Sequence, residues 1–239
     1  MVDKELVRAF IGPDDRNGAF ALVVFEPAPL SDEEYADLAV RLGVPATVFV
    51  SDAEQGRIRI FGSYGLEISF GGHPVLATID VLHRRGHTPR EIRTKAGSVA
   101  CARDAAGVNR LIAPAAWSKP WRHYPMASAA EIEALTELPA GEDFTQVWAW
   151  MDEAEGTVRA RLWAPRIDKP EDEACGSASM ILAQRLGRPL TVLHGRGSTI
   201  HVRPVDDTLV ELGGRCAVDD PPADLGELLD AAYSSRTAP

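Results

Sequence analysis

Two stretches of this chain are apolar on nearly every side at helical spacing, and each begins with a glycine. They cover residues 72–82 (GHPVLATIDVL) and 176–186 (GSASMILAQRL). Both end near basic residues, a glycine and a proline, which is the usual chemistry of a helix C-terminus. A helix that is apolar all round has to be buried. The chain must therefore wrap other elements around each of these two helices.

The elements that precede the two apolar helices also match each other. A Ser-x-x-Glu capping box begins a candidate helix at Ser31–Glu34 and another at Ser128–Glu131. The apolar positions that follow share one helical face, with Tyr35, Leu38, Ala39 and Leu42 in the first helix and Ile132, Leu135 and Leu138 in the second. Alternating β-rich runs come next, at 46–50 and 57–61 and again at 145–150 and 157–163. The same order of elements thus occurs twice.

This repeated order predicts an ancient duplication and an α+β fold of two pseudo-symmetric lobes. Each lobe is expected to wrap a curved antiparallel sheet around one central apolar helix, because a sheet and a helix bury each other's apolar faces. The 239 residues, 45% of them hydrophobic, suffice for such cores. Pro, Trp and Ala crowd together at 114–125, which places the lobes at 1–113 and 114–239, with the active site between them. After Asp219 we expect one short helix and a frayed tail.

Charge and hydropathy exclude several classes of protein. The formal net charge of −10 gives no electrostatic footprint for nucleic acid. No apolar run approaches the roughly 20 residues of a spanning helix, and residues 1–7 have no apolar signal core, so the expected location is the cytoplasm without a membrane partner. Three scattered cysteines, Cys101, Cys175 and Cys216, are too few for a disulfide scaffold or a zinc site. A cysteine that matters here is expected to act as a single thiol.

The starts of the two apolar helices are the best candidates for a binding site. A glycine there exposes backbone N–H groups, and the helix dipole adds partial positive charge. Two such starts facing across a cleft would hold an anion such as a carboxylate. This arrangement would bring four side chains around one point, namely His73, Asp172, Cys175 and Ser177.

Two separated motifs resemble the PhzF-like proteins of the diaminopimelate epimerase fold. Residues 67–75, EISFGGHPV, resemble the family signature E-L-P-F-A-G-H-P-T, and residues 171–178, EDEACGSA, resemble E-D-P-A-T-G-S-A. Residues 161–165, RLWAP, are similar to the family's R-x-F-A-P. Shorter matches at residues 194–195, 197–202 and 213–214 extend the resemblance over nearly the whole chain.

The resemblance implies a cofactor-independent isomerase that shifts a proton or double bond in a small carboxylate. It also implies a homodimer and a role in secondary-metabolite (antibiotic) biosynthesis. Carried over by motif, the predicted catalytic residues are His73 and Asp172, with Cys175 as a further candidate. The predicted substrate-binding residues are Gly72, Gly176, Ser177 and Glu67. Glu67 has a second interpretation, as a brace of the loop before the cleft. No cofactor and no metal are expected.

Two departures from the family pattern bear on the mechanism. The family's S-E-T-x-F-V aligns with residues 45–50, PATVFV, so Ala46, or Pro45 after a one-residue slip, replaces the catalytic Glu. The motif Ala-Cys-Gly-Ser around Cys175 is similar to that of diaminopimelate epimerases and related racemases, whose thiolate is a base. A helix N-terminus stabilises a thiolate. The second cysteine of those enzymes would fall at Gly71, which leaves one-base chemistry.

Three interpretations therefore stay open from sequence. The first is a PhzF-like isomerase that uses His73 and Asp172. The second is a one-cysteine dehydratase or racemase-like enzyme of the same fold that uses Cys175. The third is a non-catalytic protein that binds a small acid, since the usual Glu is absent. A small buried apolar role is the alternative for Cys175 itself.

Overall fold

One mixed sheet contains all the strands named below in the computed structural model, which describes residues 1–26, 28–137, 144–164 and 171–234. Its order is β14-β1-β2-β3-β4-β5-β6-β7-β13-β12-β11-β10-β9-β8. The strands are β1 (Asp3–Ala9), β2 (Ala19–Phe25), β3 (Ala46–Asp52), β4 (Arg57–Gly62), β5 (Glu91–Thr94), β6 (Gly97–Arg103), β7 (Asn109–Pro114), β8 (Arg122–Pro125), β9 (Thr145–Asp152), β10 (Thr157–Trp163), β11 (Leu190–His194), β12 (Ser198–Pro204), β13 (Leu209–Gly214) and β14 (Cys216–Asp219).

Five α-helices lie in the described part of the chain. They are α1 (Asp32–Leu42), α2 (Gly72–Arg84), α3 (Ala129–Glu133), α4 (Gly176–Leu186) and α5 (Ala223–Ser234), and a short 3-10 helix covers Ala115–Trp117. The two apolar sequence runs are α2 and α4. In α2 every residue from Pro74 to Leu82 is buried. One continuous hydrophobic core contains side chains of both helices, and strands of the sheet contact both. The predicted α+β class, a sheet wrapped around central apolar helices, is confirmed.

The repeated order of elements is visible in the way helices connect the strands of each half. Each half of the sheet contains two parallel strand pairs, β2·β3 and β4·β5 in the first and β8·β9 and β10·β11 in the second. Helices α1, α2, α3 and α4 are the respective crossovers. The remaining pairings of described strands are antiparallel. The expected antiparallel sheets are therefore interrupted wherever a helix connects two neighbouring strands, because such a crossover returns the chain in the same direction.

The two halves are joined by strand pairing and by the last strand and helix of the chain. β7 pairs with β13 and joins the halves into one sheet. β14 pairs with β1, and α5 packs on α1 through Leu225, Leu229 and Tyr233. The division at 113/114 therefore stays a prediction about lobes, and the last strand and helix of the chain complete the N-terminal half. Residues 235–239 lie outside the described residues.

The two capped helices differ in length. Ser31 and Glu34 form the predicted reciprocal capping box of α1, and Gly43 ends that helix in the left-handed conformation. Ser128 caps α3 by accepting from the Glu131 N–H, but α3 ends after five residues at Glu133. Leu138, the last predicted apolar position, lies outside the described residues.

Candidate functional site

The starts of α2 and α4 meet at one point between the two halves. A Cβ atom added to Gly72 would lie 3.7 Å from the Gly176 Cα and 2.5 Å from the Leu212 Cδ2. A Cβ added to Gly176 would lie 2.9 Å from the same leucine atom and 3.0 Å from Phe10 Cζ. Both positions therefore need glycine for close packing. The predicted meeting of the two helix starts is confirmed.

A cleft of about 460 Å³ opens in front of this junction. All seven predicted site residues line it, namely Glu67, Gly72, His73, Asp172, Cys175, Gly176 and Ser177. The aromatic side chains of Tyr64, Phe70, Trp117 and Trp121 form much of the remaining wall. The structure thus brings the candidate residues together, and their chemical roles stay predictions.

The loop before α4 is held by short-range hydrogen bonds. Asp172 is 8% exposed, and its Oδ1 accepts from the Ala174 N–H at 3.3 Å. Cys175 is the N-cap of α4 and is 5% exposed. The Ser177 Oγ lies 3.5 Å from the Cys175 Sγ and accepts a hydrogen bond from Trp121 Nε1 at 2.8 Å. These contacts fix a carboxylate, a thiol and a hydroxyl at one helix start.

A buried histidine supports the same loop from behind. His194, the last residue of β11, is fully buried, and its Nδ1 lies 3.0 Å from the Glu173 carbonyl oxygen. Since a carbonyl only accepts, Nδ1 carries the proton. Burial lowers the pKa of His194 to about 4. The neutral ring therefore anchors the backbone next to Asp172 at physiological pH.

The start of α2 has no side-chain cap. Its N-cap is Gly71, which occupies the position that Cys175 occupies in α4. A Cβ added to Gly71 would lie 2.9 Å from the Pro74 ring. The first half consequently offers His73, two residues after the cap, where the second half offers both Cys175 and Ser177. This supports the prediction of a single thiol at the site.

The carboxylate of Glu67 is already engaged on both oxygens. Arg59 Nε donates to Oε1 at 2.8 Å, and Lys95 Nζ donates to Oε2 at 2.6 Å. The hydrogen bond from Arg59 is the main cause of a lowered Glu67 pKa. Glu67 lines the cleft, but its charge is used to tie β4 to the segment that leads into α2. The contacts favour the brace interpretation over substrate binding.

Ala46 lies at the start of β3, where the family's catalytic Glu was expected. It is fully buried and pairs with Ala21 and Gly62 in the sheet. It does not belong to the wall of the cleft. The side chain at the position of the family's Glu therefore cannot take part in chemistry in the described cleft.

The linker between the halves also contributes residues to the cleft. Trp117, Ser118, Lys119 and Trp121 line the cleft. Lys119 Nζ lies 5.6 Å from the centre of the Tyr64 ring. Trp117 packs edge-on against Phe70, with ring centres 5.8 Å apart. The sequence indicated their position only through the aromatic residues that crowd the segment between the two lobes, since aromatic residues are enriched at interfaces.

Two kinds of feature are absent from the described ranges. No group of three or more His, Cys, Asp or Glu residues there is arranged to hold a metal ion. None of the helices described is long and apolar enough to span a membrane.

Comparison with known families identifies the chain. A sequence model of the PhzC-PhzF family, described as phenazine biosynthesis-like protein, matches residues 13–152. The protein belongs to the PhzC-PhzF family. The matched range includes the start of α2 with Gly72 and His73 and the linker residues of the cleft, but not the start of α4.

Solved structures of similar fold cover nearly the whole chain, including the part that the family model does not match. A putative phenazine biosynthesis PhzC/PhzF protein from Clostridium difficile superposes with a TM-score of 0.71 at 18% identity, covering 92% of this chain and 98% of that one. A predicted epimerase from Pseudomonas aeruginosa gives 0.65 at 21% identity, covering 92% and 98%. A hydroxyproline epimerase from Agrobacterium vitis, solved with trans-4-hydroxy-L-proline, gives 0.56 at 12% identity, covering 91% and 89%. At these identities the likeness shows the fold.

Proposed function

We propose that this protein is a cofactor-independent isomerase that shifts a proton, and with it a double bond, in a small carboxylate. The observation that carries the proposal is the meeting of two helix starts, at Gly72 and Gly176, in a cleft lined by His73, Asp172 and Cys175. The fold shared with proteins named as epimerases supports the reaction class.

The helix starts supply the binding site for the carboxylate. The first N–H groups of a helix have no partner within it, and the dipole favours negative charge there. Because both helix starts line the cleft, an anion bound there can approach both sets of N–H groups. The aromatic wall formed by Tyr64, Trp117 and Trp121 would contact the apolar body of the same molecule.

His73 is the proposed principal acid/base group. The positive field of the helix start disfavours its protonated form, so a neutral imidazole is available to accept a proton from carbon. Asp172, which the same field keeps ionised at the α4 start, would orient His73 or share its proton. The imidazole would then return the proton to a second carbon on the same face, so no net proton is consumed.

Cys175 gives a second candidate mechanism. It caps α4, faces the same cleft and lies 3.5 Å from the Ser177 Oγ. A thiolate there could remove the proton in a dehydratase or racemase-like reaction. Because Gly71 holds the equivalent position in the first half, the opposite face has no second thiol. The third interpretation is a non-catalytic protein that binds a small acid, and the exchange experiment below distinguishes it from the two enzymes.

The biological setting proposed here rests on family membership. The family description refers to phenazine biosynthesis, which supports a role in making a secondary metabolite such as an antibiotic. In this proposal the enzyme is a homodimer in the cytoplasm. Its molar mass in solution, from light scattering, should be twice that of the 25.8 kDa chain.

Binding is tested first with benzoate and its neutral analogue benzamide. Trp117 and Trp121 line the cleft, so tryptophan fluorescence should respond to benzoate. Because the helix starts select negative charge, benzamide should bind at least about tenfold more weakly. Equal binding of the two compounds would contradict the carboxylate site.

Turnover is tested by solvent exchange. The protein is incubated in deuterated water with a panel of small unsaturated carboxylates, and deuterium incorporation at carbon is followed by NMR. His73→Ala should slow exchange by about 10²–10⁴-fold, the usual contribution of a general base. Cys101→Ser is the matched cysteine control for Cys175→Ala, because Cys101 is not among the residues that line the cleft.

The outcomes separate the three interpretations. Loss of exchange in His73→Ala with Cys175→Ala still active supports the leading mechanism. The reverse result replaces it with the Cys175 mechanism. Benzoate binding without exchange in any tested carboxylate supports the non-catalytic protein.

A further inference from the structure

Trp121 occupies a fixed place in the wall of the cleft. It is 6% exposed, and its ring packs in one cluster with Leu162, Ala164 and Ala178. The Phe144 ring lies beside it at 5.8 Å between centres. The backbone N–H of Trp121 also donates to the Lys119 carbonyl at 2.7 Å. Packing thus determines where the indole N–H points.

That N–H has one defined acceptor. Nε1 donates to the Ser177 Oγ at 2.8 Å. An indole N–H can only donate, so Ser177 is the acceptor in this bond. The serine hydroxyl keeps one hydrogen of its own, which must point away from Trp121.

The Cys175 sulfur lies within reach of that hydrogen. The distance from Ser177 Oγ to Cys175 Sγ is 3.5 Å, within hydrogen-bond range for sulfur. A thiolate carries no hydrogen and can only accept. When Cys175 is ionised, the one arrangement that satisfies all three groups runs from the Trp121 N–H to Ser177 and from the Ser177 O–H to sulfur.

We propose that Trp121 is a positioning residue that acts through Ser177 to hold Cys175 as a thiolate facing the cleft. Hydrogen bonds in a chain strengthen one another, so the Trp121 bond makes Ser177 a better donor to sulfur. The α4 start adds its positive field to the same atom. This inference rests on the proposed function, which places Cys175 at the carboxylate site, and it decides in which ionisation state the thiol meets the substrate. The other charged or titratable side chains lining the cleft are Tyr64, Glu67, His73, Lys119 and Asp172.

The chain provides an internal means of measuring this thiol alone. Burial raises the pKa of Cys101 and of Cys216 to about 12 in each case. Neither thiol ionises appreciably near neutral pH. The pH dependence of thiolate absorbance and of alkylation between pH 5 and pH 9 therefore reports Cys175, with Cys175→Ser as the blank.

The experiment compares three variants of the full chain without ligand. Trp121→Phe keeps an aromatic ring and removes the N–H, and Ser177→Ala removes the hydroxyl. Trp117→Phe is the matched control at the other tryptophan that lines the cleft. Iodoacetamide alkylation of Cys175 is followed by mass spectrometry, and rates are compared at one pH below the midpoint of the wild-type profile, where the thiolate is the minor form. Circular dichroism and the urea midpoint verify that each variant is folded.

Ser177→Ala should lower the alkylation rate at that pH by about tenfold, as expected for a lost hydrogen bond to a charged group. Trp121→Phe should lower it about threefold, and the double variant should be no slower than Ser177→Ala, because Trp121 acts through Ser177. Trp117→Phe should leave the rate unchanged. Unchanged rates in both Trp121→Phe and Ser177→Ala would overturn the inference. So would an equal decrease in Trp117→Phe, which would assign the effect to packing of the wall.

This test is independent of turnover. Benzoate binding and solvent exchange measure the proposed function, whereas alkylation measures the ionisation of Cys175 in the empty cleft. If the variants lose reactivity as expected but no carboxylate exchanges, the thiolate chain stands and the proposed function fails. If exchange occurs but reactivity is unchanged in the variants, the function stands and the inference fails.

Discussion

Replacing Gly72 by alanine tests the junction on which the site depends. The new Cβ would lie 2.5 Å from the Leu212 Cδ2 and 3.7 Å from the Gly176 Cα. Leu212 is fully buried, so its methyl group has to move by about 1 Å into a filled core to restore van der Waals contact. Overpacking of this kind costs about 1–3 kcal/mol. Alanine favours the helix by up to about 1 kcal/mol, so the net loss of unfolding free energy should be about 1–2 kcal/mol.

A double-mutant cycle shows whether this clash is the cause. Leu212→Ala alone should cost about 2–5 kcal/mol, as usual for a buried leucine. In that background the Gly72→Ala methyl enters the vacated space, so the second substitution should cost nothing or stabilise the protein. Urea unfolding followed by tryptophan fluorescence gives the four free energies. Additive effects of the two substitutions, or an unchanged urea midpoint in Gly72→Ala, would refute the close junction.

Three further predictions concern stability. Ser31→Ala removes the cap of α1 and should cost about 1 kcal/mol in urea unfolding, whereas Ser31→Asp should retain stability; equal losses would contradict the capping role. Glu67 has a lowered pKa because Arg59 stabilises its carboxylate, so its contribution is present above about pH 4.5 and is lost as the pH falls below that value. Glu67→Gln should reduce the loss of unfolding free energy below that pH, and an unchanged loss would contradict the role of Glu67 as a brace. His194, with its pKa lowered to about 4 by burial, contributes stability that is complete above about pH 6.5 and declines as the pH falls toward 4. His194→Gln should remove the decline in that range, measured by urea midpoints, and a persistent decline would exclude His194 as its source.

Much of the fold could be predicted because its signals are local. The capping box at Ser31 and the two all-apolar helices are encoded within a few turns of sequence, and the structure has them at α1, α2 and α4. The parallel strand pairs and the pairing of β14 with β1 were not predicted. Strand partners depend on contacts between distant residues, and alternation of polarity does not specify direction. The short α3 shows the same limit, since its cap was visible in sequence but its end was not.

The candidate site was likewise predictable only where its residues belong to local sequence motifs. His73 and Ser177 directly follow glycines that begin helices, and Cys175 directly precedes one, so sequence alone placed them at exposed N–H groups. Lys119 and Trp121 come from the aperiodic linker, and their positions depend on how the two halves close around it. The indole–hydroxyl–sulfur chain could not be read from sequence, because Trp121 and Ser177 are 56 residues apart.

The proposed function requires that the two helix starts together bind a carboxylate. A ¹⁵N–¹H NMR titration of the protein with benzoate, with benzamide as the neutral control, tests this at the amides themselves. The largest amide shifts are expected at Gly72, His73, Gly176 and Ser177, and benzamide should leave these amides nearly unmoved. Shifts concentrated instead in the groove lined by Arg159, Arg161 and Arg196, or equal shifts with both compounds, would contradict it.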